Sequence, residues 1–179
     1  DSGPDRIMNF VVANPAWPAT TPLTRVAQSI LARKTTPIET VAKHFSRFSP
    51  ISAHGHVAYA RLALARGDKA SAAKSIRTAW VNPKLPAYLE KQIAEDFISL
   101  LSRDDHKARM WALVMAQETN AAIRAAKYVS KQHAHAARVA QMLIRRKKIG
   151  PAHYKKLSAA FRNHPPMVYA YARWLRRNG

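Results

Sequence analysis

The stretch from His56 to Trp80 constrains the fold more than any other part of the chain. Apolar residues recur in both of its halves at intervals of three and four, which is the spacing of one helical face: Ala58, Leu62, Ala65, Ala72, Ile76, Ala79 and Trp80. Between the halves, Gly67 can take the left-handed conformation that ends a helix, and Asp68 can cap the next helix. Small alanines let two helices lie close together, so the stretch predicts an antiparallel αα-hairpin.

The same pattern returns at the end of the chain. Ala58-Tyr59-Ala60-Arg61 matches Ala170-Tyr171-Ala172-Arg173, and a glycine follows each tyrosine by eight residues. A weaker copy of the turn lies between them, from Ala116 to Ala122. Helical hairpins that recur along a chain predict an α-solenoid. Because no residue follows Gly179 to supply the last hairpin's second arm, we expect the chain to be part of a longer protein.

Composition points to an all-α fold. Only five of the 179 residues are glycine, 47% are hydrophobic, and no stretch alternates as a half-buried strand does. We predict a single domain over residues 1–179, built as a right-handed α–α superhelix of about eleven helices that resembles tetratricopeptide repeats. No apolar run approaches the roughly 20 residues that span a bilayer. The first residues also lack the basic start and apolar run of a signal peptide.

Local signals add predictions about single elements. Residues 4–14 predict a first helix with Val12 facing inward, and Trp17 in the corner behind it is expected to fill a gap between helices. Thr36-Pro37-Ile38-Glu39 has the sequence of a capping box. Residues 50–55 predict a loop that leads into the hairpin, and residues 102–105 predict a helix cap.

Charge is the strongest compositional feature. The formal net charge is +20, with 13 Lys/Arg against 7 Asp/Glu in residues 1–100 and 17 against 3 in residues 101–179. Such a field attracts an anionic partner, which nucleic acid, an acidic polymer or an acidic protein surface would each satisfy. Charge alone does not choose among these partners.

Nine basic residues form the candidate binding surface for an anionic polymer: Arg145, Arg146, Lys147, Lys148, Lys155, Lys156, Arg173, Arg176 and Arg177. Tyr154, Tyr171 and Trp174 lie among them in the sequence. These aromatic rings could contact sugars or bases, but we favour their placement in the core. For the charges, a binding groove and a solvated helix face both remain open interpretations.

Motifs for bond chemistry are not found in the sequence. The chain has no cysteine, no Gly-x-Ser-x-Gly elbow and no glycine-rich phosphate loop. The histidine pairs His54/His56 and His133/His135 are closely spaced, yet no cysteine or acidic residue accompanies them as a zinc site would require. We therefore predict no catalytic residue, no metal ligand and no cofactor.

Four segments carry a resemblance to a known family: Asn14-Pro15-Ala16-Trp17-Pro18, Ala65-Arg66-Gly67-Asp68, Asp105-His106-Lys107-Ala108-Arg109-Met110 and Trp174-Leu175-Arg176-Arg177-Asn178. The chain resembles the helical region of proteobacterial soluble lytic transglycosylases. The resemblance implies a long α-superhelix curved into a ring or horseshoe, with a lysozyme-like catalytic domain at its C-terminal end. It also implies a periplasmic enzyme that cleaves the MurNAc–GlcNAc bond of peptidoglycan and forms a 1,6-anhydro product.

This chain lacks the part of that family that performs the chemistry. The family's catalytic motif is Gln-Glu-Ser followed by a Gly-Leu-Met-Gln-like stretch, whereas Gln117-Glu118-Thr119 lacks both the serine and the second stretch. The implied role is a non-catalytic region that positions the catalytic domain of the same parent chain and holds glycan strands. The alternative is a basic helical-repeat module that binds nucleic acid or a protein partner, although no regular base-reading position recurs along the chain.

Overall fold

The computed structural model describes residues 3–178, and every regular element among them is helical. The all-α prediction is therefore confirmed, while the superhelical arrangement stays a prediction. The described residues form twelve α-helices and one 3₁₀ turn: α1 (Pro4–Ala13), α2 (Thr20–Leu31), α3 (Ile38–Phe45), α4 (Ala53–Ala65), α5 (Lys69–Val81), α6 (Ala87–Asp96), the 3₁₀ turn (Ile98–Leu100), α7 (Arg103–Met115), α8 (Thr119–Ala126), α9 (Lys131–Ile144), α10 (Gly150–Lys155), α11 (Ala159–Arg162) and α12 (Pro165–Asn178). The chain divides into two compact units between Leu101 and Ser102.

The predicted hairpin is confirmed as α4 and α5 in the first unit. Gly67 has a φ of +75°, and the Asp68 side chain accepts a hydrogen bond from the backbone N–H of Ser71 at 2.9 Å. Ala58 and Ala72 are fully buried between the helices, together with Ile76. Small residues at the contact therefore allow the close packing that the sequence predicts.

The second unit begins with a copy of this hairpin, formed by α7 and α8. Ser52 and Ser102 lie fifty residues apart and begin α4 and α7, which both have 13 residues. Gln117 adopts a φ of +66° at the position that corresponds to Gly67. The same backbone bond closes both turns, because Asp68 N donates to Ala63 O at 2.8 Å and Glu118 N donates to Leu113 O at 2.9 Å. In the last copy Tyr171 lies within α12, and Gly179 lies outside the described residues.

The predictions for the first helix and its corner are partly wrong. Met8 is buried, but Val12 is 47% exposed and Trp17 is 52% exposed. The Trp17 ring packs edge-on against Phe10, which is itself exposed. The physical reason is that α1 packs mainly on α2, so only one narrow stripe of α1 is covered.

Two predicted helix starts also differ from the structure. Pro37 precedes α3 without a side-chain cap, and the Thr36 hydroxyl donates instead to Ile30 O at 2.7 Å, at the end of α2. α4 begins at Ala53, so Gly55 lies inside the helix and not in a loop. The cap at residues 102–105 is confirmed as a capping box between Ser102 and Asp105. None of the helices described between residues 3 and 178 is long and apolar enough to cross a lipid bilayer.

Candidate anion-binding surface

Three arginines of the second unit lie close enough to Arg177 for their charges to act on it, and we call the four residues the arginine cluster: Arg146, Arg173, Arg176 and Arg177. Three of them project from α12 at the i, i+3 and i+4 spacing that places residues on one helix face. Arg146 comes from the turn after α9, where its φ is +58° and the next residue, Lys147, donates its N–H to Met142 O at 2.8 Å. The left-handed turn thus brings a fourth guanidinium to the face of α12.

Tyr169 links the cluster to the turn of the second hairpin. Its hydroxyl oxygen accepts hydrogen bonds from Arg173 Nη1 at 3.4 Å and from Gln117 Nε2 at 3.2 Å. Because both bonds use the oxygen as acceptor, the Tyr169 O–H remains available to donate to an anion. A groove of about 230 Å³ lies here, lined by Tyr169, Ala172, Arg173 and Arg176.

The cluster keeps its positive charge. Partial desolvation and the positive fields of Arg173, Arg146 and Arg176 lower the pKa of the Arg177 guanidinium, but an arginine stays protonated at neutral pH. Crowded cations of this kind gain from a ligand that neutralises them.

The acidic residues of the second unit are engaged elsewhere. Asp104 forms an ion pair with Lys107 at 2.7 Å, Asp105 completes the capping box of α7, and Glu118 lies exposed at the start of α8. Within residues 3–178 no carboxylate forms an ion pair with the arginine cluster. The cluster is therefore open to an external anion.

The other predicted basic residues do not all join this surface. Arg145 Nη2 donates to Asn120 Oδ1 at 2.9 Å. Lys156 lines a separate cleft of about 370 Å³ together with Lys131 and His135. The remaining predicted lysines are exposed beside the ends of α9 and α10: Lys147, Lys148 and Lys155. The structure thus assembles four of the nine predicted residues into one cluster.

The three aromatic residues interleaved with these charges are half-buried and pack against the core, which agrees in part with the placement favoured from the sequence. Tyr154 and Tyr171 stack on each other with ring centroids 4.2 Å apart and an interplanar angle of 10°. Both rings and Trp174 pack against the apolar core of the second unit. They therefore offer no open platform on which sugars or bases could stack.

Sequence reasoning missed two polar members of the surface, Tyr169 and Gln117. The spacing of Tyr169 and Arg173, four residues apart on one helix, could have indicated the first. Gln117 could not have been found from its neighbours in sequence, because it reaches Tyr169 from another hairpin of the unit.

The residues considered as a catalytic acid or as metal ligands lie apart from one another. Glu118 occupies an exposed turn, as expected for a solvated carboxylate. The His54 side chain contacts the Tyr88 hydroxyl, while His133 pairs with the Ser130 hydroxyl at 2.7 Å. Across the described part of the chain, no three histidine or acidic side chains converge as metal ligands.

Comparisons of this chain with protein-family models, curated proteins and solved structures find no match. The surface is therefore interpreted from its own geometry. Guanidinium groups present planar pairs of donors that fit carboxylate and phosphate oxygens, so a cluster of them selects for such anions.

Proposed function

We propose that this chain is a non-catalytic binding module from the superhelical region of a soluble lytic transglycosylase, and that its second unit holds an anionic cell-wall polymer. The main support for this proposal is the arginine cluster, whose four guanidinium groups form no ion pair with a carboxylate of residues 3–178. A surface of this kind is suited to binding, and it provides no nucleophile or acid–base pair for bond cleavage.

Internal repetition supports the superhelical part of the proposal. The α4–α5 and α7–α8 hairpins share their starting serines, the 13-residue length of their first helices and their turn hydrogen bonds at a fifty-residue offset. Hairpins that repeat in this way stack in solenoids, where each repeat covers the apolar face of its neighbour.

Peptidoglycan is the proposed polymer because its stem peptides carry carboxylates. Arg176 and Arg177 would pair with these groups, and the Tyr169 O–H would donate a further hydrogen bond. In this proposal the module works in the periplasm, guides glycan strands, and positions the catalytic domain of the parent chain that cleaves the MurNAc–GlcNAc bond.

Nucleic acid is the competing ligand, since its phosphates also fit guanidinium groups. Single-stranded nucleic acids usually stack their bases on exposed aromatic side chains. Tyr154, Tyr171 and Trp174 are instead partly buried against the core, and Tyr169 in the groove uses its hydroxyl in hydrogen bonds, which favours a polymer recognised through carboxylates.

Retention on purified peptidoglycan sacculi tests the proposal. We expect the Arg146→Gln, Arg176→Gln, Arg177→Gln triple variant to bind roughly tenfold more weakly than the unchanged chain, because three exposed ion pairs are worth ~1.5 kcal/mol together. The matched control removes three exposed charges of the first unit, through Arg33→Gln, Arg66→Gln and Lys69→Gln. Equal loss in both variants would mean that total charge, and not the cluster, causes binding.

A further inference from the structure

The first unit contains a cleft of about 380 Å³ that the proposed function does not use. One wall is aromatic and consists of Phe45, Phe48 and Tyr59, with the rings of Phe45 and Tyr59 packed edge-on at 5.4 Å. The opposite wall is the polar face of α5, and the His56 ring also lines the cleft. A concave site with apolar walls and a few convergent polar groups is the usual form of a small-molecule site.

The polar wall follows from the sequence of α5. Ser71, Ser75 and Thr78 lie four and three residues apart, so all three hydroxyls share one helix face. Ser71 bonds to Asp68, and Thr78 donates to Lys74 O at 3.1 Å. Ser75 is only 6% exposed and also lines the cleft. The Nδ1 atom of His56 is buried and has no hydrogen-bond partner among the described residues, so it is a polar group that a ligand could satisfy.

In the second hairpin a tyrosine ring of the protein itself covers the corresponding histidine. Fifty residues after His56 and Thr78 come His106 and Tyr128, whose rings stack with centroids 4.8 Å apart and an interplanar angle of 19°. Where the second hairpin has this tyrosine, the first has the small Thr78, and the cleft lies between Thr78 and His56. In the second hairpin the half-exposed Tyr128 ring thus covers His106, whereas in the first hairpin His56 lines an open cleft.

Lys74 is the charged residue among those that line the cleft, and the Arg47 guanidinium lies nearby, 5.5 Å from the ring centroid of Phe48. Burial lowers the pKa of His56, so its imidazole is neutral at pH 7. Lys74 lines the cleft, is exposed, and forms no ion pair with any residue between 3 and 178. A ligand in the cleft would therefore contact the positive charge of Lys74 directly, while the Asp68 carboxylate is hydrogen-bonded to Ser71.

We propose that this cleft binds a small planar aromatic carboxylate. Its ring would stack on His56 as Tyr128 stacks on His106, and its carboxylate would pair with Lys74. The aromatic wall would make apolar contacts with the ligand ring, and Ser75 would offer a hydroxyl within the cleft. This inference concerns the first unit and does not depend on the proposed function of the second.

An NMR titration of the whole chain with 4-hydroxyphenylacetate tests the proposal, since this probe joins the tyrosine ring to one carboxylate. We expect saturable shifts of the His56, Ser75 and Thr78 amides at millimolar probe. Two matched probes serve as controls: 4-hydroxyphenylacetamide lacks the charge, and cyclohexylacetate lacks the planar ring. Shifts that do not saturate, or equally tight binding of cyclohexylacetate, would overturn the proposal.

Two variants make the test specific. Thr78→Tyr should place a ring over His56, as Tyr128 lies over His106, and should abolish binding of the probe in the cleft. Lys74→Gln should weaken binding by roughly two- to fivefold, because it removes one ion pair at the surface. Lys69→Gln, on the same helix but outside the cleft, should bind as the unchanged chain does. Full binding by Thr78→Tyr, or equal effects of the two lysine changes, would contradict the assignment.

Discussion

The Arg61 side chain caps the C-terminal end of α2. Its guanidinium donates to four backbone carbonyls at the end of α2 and in the turn beyond, at distances of 3.0, 2.6, 3.2 and 3.1 Å: Leu31, Arg33, Lys34 and Thr36. The last carbonyls of a helix have no hydrogen-bond partner within the helix. Arg61 supplies these hydrogen bonds, and so avoids the free-energy cost of leaving the carbonyls unpaired. Burial lowers the pKa of Arg61, but the group remains charged.

We expect Arg61→Lys to lower the free energy of unfolding by about 1–3 kcal/mol, because an ammonium group cannot reproduce the fork of donors. Urea denaturation measures the change. Arg66→Lys is the matched control, since Arg66 is exposed at the end of α4. Equal midpoints for the two variants would show that the four bonds contribute little.

Gly55 is required because a buried amide occupies the space beside it. Gln28 is fully buried, and its Oε1 accepts hydrogen bonds from Ile51 N at 3.1 Å and from the Ser52 hydroxyl at 2.7 Å. Its Nε2 donates to Ser49 O at 2.9 Å. A Cβ at position 55 would lie 2.1 Å from Gln28 Oε1, so a larger residue must displace this amide.

Replacing glycine by alanine inside a helix usually stabilises it by about 1 kcal/mol. We expect Gly55→Ala to have the opposite effect and to lower the free energy of unfolding by roughly 1–3 kcal/mol, because the added methyl group overpacks the site. Thermal unfolding measures the change. Gly3→Ala is the control, because a Cβ there meets no atom within 4 Å. A stabilised Gly55→Ala variant would mean that Gln28 moves aside without cost.

Among the described residues, three turns between helices contain a residue with a left-handed backbone conformation, and the three residues differ in how easily they adopt it. Gly67, Gln117 and Arg146 have φ values of +75°, +66° and +58°. Only glycine takes this conformation without a steric penalty. The second and third turns therefore store strain that the first does not.

Gln117→Gly should raise the stability of the chain by about 0.5–1 kcal/mol, because relief of the strain exceeds the added entropy of the unfolded chain. Differential scanning calorimetry gives the change. Ala116→Gly provides the comparison, since Ala116 has an ordinary helical conformation and glycine should destabilise it. If both changes lower the melting temperature, the turn is not strained.

Helices and turns could be predicted where neighbouring residues in the sequence mark them. Contacts between side chains that are distant in sequence could not be predicted. Gly67-Asp68 marks the hairpin within two residues, and the helical spacing of Arg173, Arg176 and Arg177 predicts their shared face. Arg146 joins that face only through the fold of the second unit, while Lys156 lies at another cleft. The cap formed by Arg61 depends on carbonyls about thirty residues earlier in sequence, so no local pattern indicates it.

At the scale of the whole molecule, burial couples stability to pH through six histidines: His44, His54, His56, His106, His133 and His164. Burial lowers the pKa of each below the ordinary value of 6.5. The unfolded chain therefore takes up protons at a higher pH than the folded chain does. Their contribution is fully present above pH 6.5 and is lost as the pH falls through the lowered values.

We expect the urea midpoint to be lower at pH 5 than at pH 7.5. His164→Phe should reduce this difference, because phenylalanine can keep the stack on Trp111, now at 4.0 Å between ring centroids, without titrating. The exposed Lys127→Gln change leaves the histidines intact and should show the full difference. A midpoint that stays constant or rises on acidification would contradict the linkage.

The most direct test of the account is competition between peptidoglycan sacculi and RNA of equal total charge for the unchanged chain, measured over a range of salt concentrations. We expect sacculi to retain the chain and RNA not to displace it, because binding of carboxylates at the arginine cluster adds to the attraction from the net charge of +20. Preferential binding to RNA that disappears as salt rises would show a general attraction to polyanions. That result would contradict the proposed role in the cell wall.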